Sequence, residues 1–121
     1  MIYLKVNEAY AFDFLAILQI KFEIDPTNNS ENYNDCSLEI KKQIGNDREF
    51  DNIISSQEYK NLYLINKKTF EAVDLAKQEK VSAKYVDECN YERFLAKKAL
   101  QDKFFPEDNY KENKIGYEQN G

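Results

Sequence analysis

The chain has 121 residues, the size of one domain, and 42% hydrophobic with 14% aromatic side chains supply enough apolar surface for one packed interior, which excludes a disordered chain. Its charge of −5 comes from 17 basic and 22 acidic residues, and most lysines stand three or four positions from an acid, so the basic stripe of a nucleic-acid binder is missing and no direct nucleic acid is expected among its partners. There is no histidine, and the three glycines are Gly45, Gly116 and Gly121, so the Ser–His and Cys–His nucleophile pairs and the glycine-rich phosphate cradles are excluded.

Ile2 to Val6 alternates and is β-branched or aromatic at several positions, which predicts one short N-terminal strand in need of a partner, in the chain or in a second copy. The opening shows no basic segment followed by a long apolar one, so no signal peptide is expected and the location is expected to be cytoplasmic. Asn7 can cap a first helix running to about Ile24, with Glu8 in its first turn. Its apolar residues, among them Tyr10, Phe12, Phe14, Leu15, Leu18 and Ile20, surround nearly the whole circumference, as in a helix buried on several sides or lying between subunits. Asp13, Gln19, Lys21 and Glu23 interrupt it, so no membrane span is expected. A competing reading makes the alternating residues 18–24 a strand.

Residues 25–37, DPTNNSENYNDCS, are dense in turn formers and predict the main loop. Short helices are expected over Leu38–Ile44, ended by Gly45, and over Asp47–Ile54. The run from Ser55 to Glu58 has the form of a capping box, predicting a helix to about Lys80 with Tyr59, Leu62, Tyr63, Phe70 and Val73 on one face and Asn66 among them. Ser82 can cap a last helix that gathers Tyr85, Val86, Cys89, Ala96, Leu100 and Phe104, ends at Pro106, and carries Arg93 in its stripe. The expected fold is therefore mainly α: a small helical bundle with one short N-terminal β-strand and two long C-terminal helices forming an antiparallel hairpin. Residues 1–106 form a single helical domain in this reading, and 107–121 a polar C-terminal tail.

Few residues carry chemistry. Cys36 and Cys89 lie 53 positions apart without CxxC spacing and are expected reduced; Cys89 stands on an apolar stripe, where a thiol is ordinarily inert. The alternation Asp25, Thr27, Asn29, Glu31 resembles the start of an EF-hand loop, but Ser30 replaces its glycine and Cys36 its bidentate glutamate, which predicts a solvated turn. Glu71 and Asp74 share one helix face, a pair similar to that of magnesium-dependent, all-helical nucleotide pyrophosphohydrolases of the MazG type. The second ExxE pair of those enzymes is missing from Asp47, Glu49, Asp51 and Glu58. Asp13 and Arg93 are ionised residues among apolar neighbours, and a buried charge must be paired. They pair across two helices with Asn66 as third member, or Arg93 snorkels its head to the rim.

The first functional reading is a non-enzymatic interaction or assembly protein, a homo-oligomer formed through helix one, the strand or both, with no cofactor, no metal site and no membrane partner. A further protein partner is compatible with it. Asp13, Asn66 and Arg93 are its structural or partner-binding candidates. Fifteen Lys to two Arg, with thirteen Asn and ten Ile, suits AT-rich coding and a small phage-type accessory protein. The alternative is a Mg-dependent nucleotide pyrophosphohydrolase-like enzyme using helix carboxylates. A third reading is an acidic binder that occupies a partner's nucleic-acid surface, since residues 1–60 carry six basic against eleven acidic side chains.

Overall fold

Five helices account for the described part of the chain, residues 1–107 of a computed structural model: α1 (Glu8–Ile24), α2 (Pro26–Ile44), α3 (Asp47–Ile54), α4 (Gln57–Lys77) and α5 (Ala83–Phe104). The links between them are short, and local side chains close each one. Asp25 ends α1 and starts α2: its amide donates to the Lys21 carbonyl and its carboxylate accepts from Asn28. Asn29 ties the joint by donating to the carbonyls of Lys21 (3.2 Å) and Asp25 (2.9 Å), groups that a helix end otherwise leaves open. Gly45 ends α2 at φ +76°, a left-handed position that costs glycine no Cβ clash. Asn46, Ser56 and Ser82 cap α3, α4 and α5, each accepting from the amide three residues on. Glu79 takes the left-handed position after α4 at φ 58°, where its amide and that of Lys80 satisfy the carbonyls of Ala76 and Leu75.

Helix α1 lies against α2, α4 and α5 and carries much of the core. Phe12, Leu15 and Ala16 pack with Ile40 of α2, Phe50 and Ile53 of α3, Leu62 of α4 and Leu100 of α5. Burying each large apolar side chain of this set contributes about 1.5–3 kcal/mol, far more than the ion pairs at the surface. Those pairs instead show the direction of the last two helices: Lys103 near the end of α5 meets Glu58 at the start of α4 (2.7 Å), and Lys68 meets Glu92 (3.2 Å), so α4 and α5 run antiparallel.

Four expectations from sequence are corrected. No strand occurs among the described residues: residues 1–6 have no regular structure, because no second extended segment stands there to pair with them. The predicted main loop is helical, α2 beginning at Pro26, whose fixed φ suits the first helical position. Tyr33, Cys36, Ile40 and Ile44 give α2 one inward face at helical spacing, and Tyr33 stacks on Phe22 at 5.6 Å. The capping hydroxyl is that of Ser56, one residue later than the box predicts, and Ser55 instead ends α3. Helix α4 stops at Lys77, and Phe70 and Val73 are exposed where Thr69 and Ala72 turn inward. Of the predicted tail, residues 107–121, all but Glu107 lie outside the described residues.

The start of α1 is held by another helix. The Asn7 side chain makes no capping bond, and the Ala9 amide donates instead to Gln101 Oε1 of α5 at 2.8 Å. The Gln101 Nε2 group donates to Glu8 at 3.0 Å. Replacing Gln101 with Ala strands a buried amide, so a loss of about 1–3 kcal/mol in urea-induced unfolding is expected; an unchanged midpoint would show that water serves the Ala9 amide equally well.

Candidate functional site

Asp13, Asn66 and Arg93, the polar residues that the sequence sets on apolar faces, meet between α1, α4 and α5. Arg93 of α5 grips Asp13 of α1 with two bonds, Nε to Oδ1 at 3.0 Å and Nη2 to Oδ2 at 2.6 Å. Asn66 of α4 donates to Asp13 Oδ1 at 2.8 Å and to the carbonyl of Leu62 at 3.0 Å. The Asp13 side chain is 7% exposed and that of Arg93 29%, so the carboxylate is buried while the guanidinium reaches partway to the rim. Two-pronged, charge-assisted bonding of this kind is strong and directional. Both oxygens of Asp13 are engaged inside the protein, which suits a carboxylate that holds helices together rather than one that accepts a proton from a substrate.

The Arg93 contact belongs to a longer seam between α5 and α1. Four residues further along α5, Lys97 places its ammonium 4.2 Å from the ring centre of Tyr10, and four further again Gln101 engages Glu8 and Ala9. Sequence reading found the first member and missed the others. The signal was present, since Arg93, Lys97 and Gln101 recur at the i, i+4 spacing that lines one helix face. A second set joins α4 to α1: Tyr59 donates its hydroxyl to Gln19 at 2.8 Å, and Tyr63 donates to Glu23. Among the described residues, every buried side-chain nitrogen or oxygen has a hydrogen-bond partner.

The groups proposed for chemistry do not assemble. Glu71 and Asp74 are exposed, and no cluster of three or more potential metal-binding side chains occurs among the described residues. Residues 25–36, expected to form a solvated turn despite their likeness to the start of an EF-hand loop, instead lie at the cap and along the helix of α2. Cys36 and Cys89 are free thiols, Cys89 buried. Burial pushes the Cys36 thiol up from its ordinary range, the opposite of nucleophile activation.

One cavity opens at the end of the bundle where the chain enters α1. It measures about 610 Å³ and is walled by residues 4–8, the last turns of α2, Glu49 of α3 and residues 104–107. No helix among the described residues is long and apolar enough to cross a membrane. No family model, curated protein or solved structure matches the chain.

The tyrosines joining α4 to α1 set an alkaline limit. Burial, with the neighbouring Tyr33 contributing less, raises the Tyr59 hydroxyl far above its ordinary 10. The hydrogen bond to Glu23, followed by burial, raises Tyr63 to about 12. Both hydroxyls are neutral when protonated, so their contribution is complete below the unfolded-chain value and is lost as pH rises through the folded values. A melting temperature that falls from about pH 10 to pH 12 is expected, with a shallower fall for Tyr59→Phe. Lysine titration is common to both proteins, and identical slopes would remove Tyr59 from the account.

Proposed function

We propose that this chain is a non-enzymatic interaction or assembly protein that self-associates, and that Asp13, Asn66 and Arg93 serve its architecture rather than a reaction. One observation carries the reading. The first six residues present Met1, Ile2, Tyr3, Leu4 and Val6 at 50–109% exposure, and α1 adds exposed Tyr10 and Phe14, four residues apart on one side of the helix. Apolar side chains scattered singly are ordinary on a surface, whereas a contiguous run marks a contact site.

The original support for an interface along α1 changes with the fold. The buried side of that helix is covered within the chain by α2, α4 and α5, so a second subunit is not needed to cover it. Beside single exposed apolar residues elsewhere, such as Leu38, Leu64 and Phe70, the N-terminal segment presents five exposed apolar side chains within six positions, and Tyr10 and Phe14 add to them on the outer side of α1. The lack of grouped carboxylates among the described residues leaves the hydrolase alternative without the observation it requires.

Light scattering behind size exclusion tests the proposal. A mass approaching twice the 14.3 kDa of one chain is expected as concentration rises, persisting at high salt because the contact is apolar. A mass of one chain at every concentration and salt would overturn self-association.

A further inference from the structure

The N-terminal segment and the cavity beside it have complementary surfaces. Phe12, Ile40, Ile44 and Phe104 supply apolar lining, and the charged lining residues are Glu8, Glu49 and Glu107 against one cation, Lys5. The excess of carboxylates makes the cavity wall negative. Met1, Ile2, Tyr3 and Leu4, which precede Lys5, are 109%, 85%, 76% and 77% exposed. An apolar strip followed by a cation thus adjoins an apolar hollow walled by acids.

We propose that two copies of the chain exchange N-terminal segments, residues 1–4 of each placing their apolar side chains in the cavity of the other. This rests on the self-association proposed above and names the contact that produces it. The cavity, about 610 Å³, is within the size of pockets that take small molecules, about 300–1,000 Å³, and so has room for apolar side chains. Four extended residues span about 13 Å, which lets a segment pass from one mouth into a facing one. Charge is compatible with the exchange: the wall carries three carboxylates, Glu8, Glu49 and Glu107, against its own chain's Lys5, so a second copy's Lys5 leaves it without an excess of cations. Symmetry favours it. Leu4, Lys5 and Val6 form part of the cavity wall, so donor and acceptor are adjacent on each copy, and two reciprocal contacts close a dimer instead of propagating a filament.

Cysteine trapping distinguishes this contact from others. In a Cys36→Ser background, which leaves only the buried Cys89, Ile2→Cys and Gln43→Cys are prepared separately, mixed and mildly oxidised. A covalent dimer containing one chain of each is expected at several times the yield of either variant alone. Removing residues 1–4 is expected to give a single-chain mass with unchanged helical circular dichroism, and Ile2→Asp with Leu4→Asp is expected to give the same mass in the full-length chain. A dimer that survives both changes overturns segment exchange and leaves self-association standing, whereas an intact protein that is always single-chain overturns both. A chain carrying Ile2→Cys and Gln43→Cys together that closes only an internal disulfide places the segment in its own cavity and overturns the exchange. Absence of the mixed cross-link in a protein that does dimerise overturns it as well.

Discussion

The carboxylate of Asp13 is the constraint around which the helices are arranged. It sits on α1, the helix that touches α2, α4 and α5, and it is almost fully buried. A lone ionised carboxylate there would cost several kcal/mol, so the fold must bring it a cation and a further donor. Arg93 of α5 and Asn66 of α4 are those groups, and their bonds are satisfied only at one rotation and one height of α1 against the α4–α5 pair. Apolar contacts alone tolerate sliding, whereas a two-pronged bond to a fixed carboxylate does not. The remaining seam is in the same register: on the α5 face that carries Arg93, Lys97 reaches Tyr10 and Gln101 the first turn of α1.

Placing α1 this way has a consequence for the surface. With its inner side covered by the chain's own helices, the densest run of exposed apolar side chains lies where the chain enters α1, in residues 1–6, with Tyr10 and Phe14 beyond it. Gln101 fixes the start of α1 through Ala9, so the segment emerges beside the cavity from a rigid base. The network that holds the bundle therefore also positions the surface through which self-association is proposed.

Helix ends were legible at Gly45 and Ser82, where a glycine and a serine govern the local backbone, whereas the cap of α4 was read one residue early and Asn7 makes no capping bond. The first half of α2 was not legible, because four asparagines in residues 25–37 favour turns when judged locally. The stacking of Tyr33 on Phe22 and the inward Cys36 and Ile40 override that preference through contacts distant in sequence. The opposite error occurred at residues 2–6, whose pattern suits a strand while pairing depends on a second strand that the rest of the described chain does not provide. Asp13, Asn66 and Arg93 stood out as polar residues on apolar faces, whereas Gln101 is marked only by its i, i+4 spacing from Arg93 and Lys97, and the Tyr59–Gln19 pair gains its role from the neighbouring helix alone.

A double-mutant cycle on Asp13→Leu and Arg93→Met, followed by urea-induced unfolding, addresses the central interaction directly. Because Arg93 is partly solvated, each single change should cost about 2–4 kcal/mol, toward the lower end for a buried pair. The double change should cost less than the sum of the two by about 1.5 kcal/mol or more, since neither charge is then left alone. Costs that add to within about 0.5 kcal/mol would contradict the account, because the two side chains would then act independently and something other than their bond would orient α1.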